Sequence, residues 1–236
     1  MILYGRNAVR EALRAGRRRI DTVWATESAA RESWLRDHRE VRIAGAGELA
    51  RICGSPEHQG VCADAGGYPY VGAGDLLAVA EPFIVALDEL QDPQNLGAIC
   101  RSAECAGATG VVICERRAAA VTAAVARASA GAVEHLRIAR ARNLADFLAD
   151  AKAGGCWCYG ADARAPLAYD EPDYRGGVVL VIGAESAGLR PRVAKCCDAL
   201  ISLPIRGRVH SLNASAAAAV LLYGILQRRL ALDRAS

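Results

Sequence analysis

The sequence predicts an α/β protein: a large domain built on a mostly parallel sheet, preceded by a smaller α/β domain. Three observations carry that expectation. From Phe83 onward, apolar runs of strand length alternate with segments of helical periodicity. Strands that are apolar on both faces belong to parallel sheets covered by helices on both sides. Up to about Ala65 the chain is instead rich in Arg and Glu, with short alternating elements, and between the two stretches lies GGYPYVGAGD, whose Gly and Pro break any regular element. The expected organisation is a small domain over 1–66, a linker over 67–81 and a large domain over 82–236.

The elements follow in order. Periodicity through Ala8 and Leu13 predicts a helix from Asn7 to Ala15, and IDTVWA predicts a strand from Ile20 to Ala25. Ser28 to His38 reads as a helix, Val41 to Ala44 as a strand, Glu48 to Cys53 as a helix and Gly60 to Ala65 as a strand. In the large domain the strands are Phe83–Leu87, Gly110–Cys114, Leu136–Ala139, Cys156–Gly160, Val178–Ile182 and Leu200–Pro204. Helices fit at Leu96–Ala106, Val121–Ala130, Leu144–Lys152 and Pro191–Cys197, and an Ala-rich helix follows HSLNASAAAAVLL. No internal repeat or low-complexity tract is visible.

With 53% hydrophobic and 23% charged residues in 236, the chain has the composition of a folded soluble protein. A net charge of +3 permits a polyanionic partner without demanding one. The start MILYGRNAVREAL lacks the apolar core and small-residue cleavage site of a signal peptide. The only apolar stretch near membrane-spanning length is the Ala-rich helix, which carries Asn213 and Ser215 and is expected to be buried in protein. The nine cysteines are an odd number in mostly apolar settings without Cys-x-x-Cys spacing, so they are expected to be reduced, structural thiols of a cytoplasmic protein, with no metal site.

Three constellations sit where strands end, the edge at which open α/β sheets bind ligands. In LDELQDPQNLGAICRSAECAGA, Asn95 can cap a helix and Arg101, six residues on, can serve the same pocket; the alternative is a capped helix with a solvent-facing arginine. In VVLVIGAESAGLRP, a strand runs into Gly183, whose missing side chain lets backbone groups meet a flat ligand, followed by Glu185 and Gly188; a tight turn is the alternative. This is not the G-x-G-x-x-G fingerprint of dinucleotide sites. The third joins LISLPIRG to HSLNAS, where Leu203 and Leu212 offer apolar walls and Ser211 and Asn213 polar contacts. His210, a base by type, lies in an arginine-flanked loop and is expected to be solvated.

The order N-x-G-x-x-x-R, then G-x-E-x-x-G-L, then a strand ending in Pro before S-L-N-x-S, is similar to the SpoU (TrmH-like) branch of the SPOUT RNA methyltransferases. YGRNAVREAL, EHQGVCA and SAGAVEHLRIARARNL resemble further segments of that branch, so the likeness covers nearly the whole chain. It implies an amino-terminal, ribosomal-protein-like RNA-binding domain. It also implies a catalytic SPOUT domain whose carboxyl-terminal portion forms a deep trefoil knot, an exception to the usual un-knotted rule. The resemblance further implies a homodimer that binds S-adenosylmethionine at the knot and methylates a ribose 2′-hydroxyl of RNA. Carried over onto matching positions, the resemblance implies that Gly183, Leu203 and Leu212 bind the cofactor, with Ile182 and Ile201 as supporting neighbours. Asn95, Arg101, Glu185, Ser211 and Asn213 form the catalytic and positioning set, and Glu185 has the alternative of holding the knot together. Arg101 is the branch's proposed catalytic residue. A guanidinium with a pKa above about 12 rarely releases its proton, so its expected part is to grip a phosphate and stabilise the developing alkoxide.

RNA contact is expected from Arg6, Arg10, Arg17, Arg18 and Arg19 in the small domain and from Arg206 and Arg208 beside the pocket; a solvated face is the alternative for each. The expected target is a guanosine of 23S ribosomal RNA. Transfer RNA, a ribosomal site linked to antibiotic resistance, and a non-catalytic assembly factor of the same fold are the competing readings.

Overall fold

The computed structural model describes residues 1–36, 41–185 and 187–234. In its first part run β1 (Ile2–Tyr4), α1 (Arg6–Ala15), β2 (Ile20–Ala25), α2 (Glu27–Ala30), α3 (Ser33–Arg36), β3 (Val41–Ile43), α4 (Ala46–Cys53) and β4 (Val61–Ala65). There follow α5 (Ala73–Leu77), β5 (Phe83–Asp88), α6 (Pro93–Cys105), β6 (Gly110–Cys114), α7 (Ala123–Ala128), a 3-10 turn (Ala132–Glu134), β7 (Ile138–Ala141) and α8 (Leu144–Ala153). The last part holds β8 (Trp157–Ala161), β9 (Leu167–Ala168), β10 (Val178–Gly183), α9 (Pro191–Cys196), β11 (Ala199–Ser202) and α10 (Ala214–Asp233).

The chain forms two compact units, Met1–Pro69 with Val121–His135, and Tyr70–Ala120 with Leu136–Ser236. Two expectations change. Residues 121–135, assigned from sequence to the large domain, pack in the first unit, and the stretch expected as a linker over 67–81 is folded: α5 lies in it, and Val71 bridges Ala139.

The first unit carries a mixed sheet in the order β1-β4-β2-β3, with β4 antiparallel to both neighbours and β3 parallel to β2. The apolar side of α1, through Ala8, Val9 and Ala12, is buried. The helix expected at Ser28–His38 is divided into α2 and α3, and Asp37 and His38 lie outside the described residues. Thr26 caps α2, its hydroxyl accepting from the Ala29 amide at 3.3 Å.

At the centre of this unit Arg18 is buried against Glu134. Its Nε donates to Glu134 Oε2 at 2.9 Å and an Nη donates to Oε1, with the two side chains only 2% and 1% exposed. Arg18 also donates to the Gly66 carbonyl at 3.3 Å and lies 5.4 Å from the centre of the Tyr68 ring. The expectation that Arg18 contacts RNA is therefore corrected: its guanidinium is consumed inside the fold.

The second unit carries seven strands, all parallel, in the order β7-β6-β5-β10-β8-β11-β9. Every residue of β5, β6 and β10 is buried, which is why these strands read as unbroken apolar runs. Three strands shift from their expected places. β7 starts two residues later than expected, β8 runs from Trp157 to Ala161 rather than from Cys156 to Gly160, and β11 ends at Ser202, short of Pro204, which has no N–H to donate.

All nine cysteines are free, and burial pushes the thiols of Cys100 and Cys158 up to about 12. At pH 8 such a thiol is ionised in only about one molecule in ten thousand, and the thiolate is the reactive form. A brief iodoacetamide pulse at pH 8, read by peptide mass spectrometry, is expected to modify exposed Cys105 first and to reach Cys100 and Cys158 only after denaturant is added. Equal labelling of Cys100 and Cys105 in the native protein contradicts this packing.

Candidate active site

The carboxyl ends of β8, β10 and β11, together with the start of α10, enclose a cavity of about 470 Å³, within the usual range of small-molecule sites. Ile182, Gly183, Ile201, Leu203 and Leu212 all line it, as do Glu185 and Ser211. Gly183 is required here for a steric reason. The chain folds back so that Ala184 and Gly188 pair as an antiparallel bridge, and a Cβ on Gly183 would sit 2.2 Å from the Gly188 carbonyl carbon. Gly188, at φ +64°, makes that return in the left-handed region.

The polar side of the site is a chain of three side chains. Asn213 caps α10, its Oδ1 accepting from the amides of Ser215 at 2.8 Å and Ala216 at 3.3 Å. That fixes its amide, so Nδ2 must point away from the helix, and it donates to Asn95 Oδ1 at 3.0 Å. Asn95 then has its own Nδ2 left to donate, and it reaches Glu185 Oε1 at 2.6 Å. Each amide orientation follows from its neighbour's bond, starting from the unpaired N–H groups of a helix start. The expectation that Asn95 caps α6 is corrected: Asp92 does so, accepting from Gln94 N at 3.0 Å and Asn95 N at 3.3 Å. Asn95 is thereby released to bridge Glu185 and Asn213.

Arg101 is not part of this cavity. It is exposed on α6, and the reason is angular: six residues at 3.6 per turn place it about 120° around the helix from Asn95. His210, Arg206 and Arg208 are exposed in the loop between β11 and α10. In the first unit Arg6 pairs with Glu32 at 2.8 Å, Arg10 with Glu11 at 2.9 Å and Arg19 with Asp21, while Arg17 donates to the Glu134 carbonyl at 3.3 Å.

Sequence reasoning missed Asp162 and Arg164, which line the cavity just after β8. The rule that strand carboxyl ends carry ligands would have found them had β8 been extended one residue, to Ala161. The backbone N–H of Arg164 holds the Asp162 carboxyl below the usual carboxylate range. The wall thus offers apolar planes from Ile182, Ile201, Leu203 and Leu212, carboxylates from Glu185 and Asp162, and one guanidinium from Arg164. This set suits a flat heterocycle attached to a cationic group and a zwitterionic tail.

Asn95→Ala removes the bridge and leaves Glu185 and Asn213 short of a partner, a change that costs about 1–3 kcal/mol. If the relay is held during turnover, kcat in a methyl-transfer assay is expected to fall by roughly 10- to 100-fold. Unchanged kcat would remove the relay from the mechanism.

Comparison with known proteins assigns the family and supports the fold. Residues 82–223 match the model of the SpoU rRNA methylase family, and residues 2–71 match the RNA 2′-O ribose methyltransferase substrate-binding domain. YacO of Bacillus subtilis (strain 168), described as a TrmH family tRNA/rRNA methyltransferase, is 39% identical over 95% of this chain and 94% of its own length. The crystal structure of an AdoMet-bound rRNA methyltransferase from Sinorhizobium meliloti superimposes with a TM-score of 0.81 at 28% identity, covering 96% of this chain and 86% of that one. The SpoU methyltransferase AviRb from Streptomyces viridochromogenes gives 0.82 at 26% identity, covering 98% and 90%. Fold, site and matches define the class, an S-adenosylmethionine-dependent RNA (ribose-2′-O) methyltransferase with an amino-terminal substrate-binding domain. The chain belongs to the SpoU rRNA methylase family.

Proposed function

We propose that the chain methylates the 2′-hydroxyl of one guanosine ribose in 23S ribosomal RNA, with S-adenosylmethionine bound in the cavity at the ends of β8, β10 and β11. The observation that carries the reading is the hydrogen-bond chain that ties Asn213 and Asn95 to Glu185, which lines that cavity together with Gly183 and Ser211. The choice of guanosine follows the resemblance to the ribosomal RNA enzyme RlmB, which extends over both domains. In this reading the carboxyl-terminal segment is drawn into the trefoil knot of SPOUT proteins.

The residues present fit the cofactor. Ile182, Ile201, Leu203 and Leu212 supply walls for an adenine, Glu185 and Asp162 answer positive charge, and Arg164 answers a carboxylate. When bound, S-adenosylmethionine supplies an electrophilic methyl group on a sulfonium centre. Asn95, itself held by Asn213, fixes Glu185 by a hydrogen bond, and Ser211, which also lines the cavity, orients the ribose. Holding both reactants in line is worth on the order of 7–11 kcal/mol.

The protein works as a homodimer in this reading. Val220, Tyr223 and Leu230 remain exposed along one side of α10, of which only 22% is buried within the chain. This helix is long and apolar enough to cross a membrane by length and composition, but its Asn213 cap is tied to Asn95, as befits a helix packed in protein. Arg101 lies off the cavity of its own chain, so it grips RNA phosphate at a cavity completed by a second copy. Mixing the impaired Arg101→Ala and Asn95→Ala proteins is then expected to raise activity to about a quarter of wild type, above that of either variant alone, since half the random dimers hold one intact site. No recovery after subunit exchange places Arg101 in its own chain's site instead. Of the expected RNA contacts, Arg6, Arg10, Arg17, Arg19, Arg206 and Arg208 remain in the proposal, and binding through them weakens steeply with salt.

The deciding experiment is methyl transfer from labelled S-adenosylmethionine to total RNA of a strain lacking the gene, followed by mapping of the modified ribose. Label at one 23S guanosine is the expected result. Label in transfer RNA replaces the target, and cofactor binding without transfer to any RNA favours an assembly factor.

A further inference from the structure

A second polar cluster lies next to the cavity's Gly188–Leu189 stretch, on Asp88, Glu89 and Arg190, none of which lines the cavity. Asp88, the last residue of β5, pairs in register with Gly183 and has a fully buried side chain. Its Oδ2 accepts the backbone N–H of Arg190 at 2.8 Å and its Oδ1 accepts Arg190 Nε at 2.7 Å. The guanidinium also donates through Nη1 to Glu89 Oε1 at 2.9 Å and through Nη2 to Cys114 Sγ at 3.7 Å.

Successive residues of a strand point to opposite faces, so two adjacent carboxylates do not ordinarily reach one cation. Here they do because Glu89 adopts φ +56°, a left-handed conformation that is costly for a residue with a side chain. The kink turns Glu89 back toward the guanidinium that Asp88 already holds. Arg190 directly follows Gly188 and Leu189, both of which line the cavity.

We propose that Asp88 and Glu89 form a two-carboxylate clamp on Arg190 that holds Gly188 and Leu189 of the adjoining loop against Gly183, making Arg190 a positioning residue for S-adenosylmethionine. The inference rests on the cofactor site proposed above. The loop is anchored at both ends: Glu185 to Asn95 at the front and Arg190 to β5 at the back. Without the rear anchor, the Gly188–Leu189 wall is free to lift from Gly183, and the loop must be ordered again each time the cofactor binds. That cost falls on cofactor affinity, while the RNA-facing groups are left in place.

The test compares wild type, Arg190→Ala, Arg190→Lys and Glu89→Asn in the full-length protein. Titration calorimetry with S-adenosylmethionine, steady-state methyl transfer and thermal unfolding are measured for each. Glu89→Asn keeps a residue type that tolerates the left-handed conformation and removes one arm of the clamp, so it serves even if Arg190→Ala does not fold. The expected result is a rise in Kd and KM for S-adenosylmethionine of tenfold or more in Arg190→Ala and a smaller rise in Glu89→Asn. KM for RNA stays within twofold, kcat at saturating cofactor stays within threefold, and Arg190→Lys recovers part of the loss. A cofactor Kd within twofold of wild type in the folded variants overturns the clamp, as does a fall in kcat with KM unchanged. Absence of cofactor binding by wild type overturns the underlying site assignment, an outcome distinct from either.

Discussion

Gly183→Ala is expected to weaken S-adenosylmethionine binding on the order of a hundredfold, as overpacking at a site that cannot yield. The added methyl would lie 2.2 Å from the Gly188 carbonyl carbon, 2.4 Å from its oxygen and 2.5 Å from the Leu189 amide nitrogen. All three are backbone atoms of the cavity wall, so no side-chain rotation relieves the clash. The return strand must move by about 1 Å, and overpacking of this kind costs about 1–3 kcal/mol. Gly188→Ala provides the contrast in the same loop. Nothing lies within 4 Å of its Cβ position, and only its φ of +64° opposes substitution, a cost of about 1–2 kcal/mol that leaves the wall in place. Calorimetric titration of both variants separates the two cases. Binding by Gly183→Ala within threefold of wild type would show that the cavity is not the cofactor site, or that the wall is softer than its backbone packing implies.

The second large effect concerns stability. Truncating either partner of the Arg18–Glu134 pair strands a charge in the interior, which typically costs about 3–5 kcal/mol. Arg18→Ala and Glu134→Ala are each expected to lower the first calorimetric transition by roughly 10 °C, since about 2–4 °C accompanies each kcal/mol in a protein of this size. The double variant Arg18→Met/Glu134→Leu is expected to regain most of that loss, because it removes both charges and keeps apolar volume. Equal destabilisation by the double and single variants would mean that packing around Tyr68 and Gly66, rather than the charge pair, holds this region. The experiment also bears on RNA binding. Arg18 variants should change the salt dependence of RNA affinity little, because the buried guanidinium meets no phosphate.

Much of the fold and the site was legible from local pattern. The apolar runs of β5, β6 and β10 announce a covered parallel sheet, since both faces of each strand must be shielded. The surplus of polar residues at Ser211–Ser215 is explained by Asn213, which caps α10 with its oxygen and reaches Asn95 with its nitrogen. Elements without such patterns escaped notice. β1 and β9 are three and two residues long, too short for a period to register, and α5 hides in a Gly- and Pro-rich stretch.

By itself the sequence determined which segments are strands and helices across most of the chain, a property that depends on side chains within a few residues of each other, where periodicity and capping act; that the motifs around Asn95, Gly183 and Asn213 serve one site was implied by their resemblance to the SpoU branch. Only the tertiary structure decided that Arg18 is interior, that residues 121–135 join the first unit, that Arg101 turns from the cavity of its own chain, and that Asp88 and Glu89 grip Arg190. Arg18 and Glu134 stand 116 positions apart and Asp88 and Arg190 stand 102 apart. A charged residue written in sequence carries no mark of whether a distant partner will take it out of water; that is settled when the sheets assemble and burial leaves an ion pair as the only tolerable state for the charge.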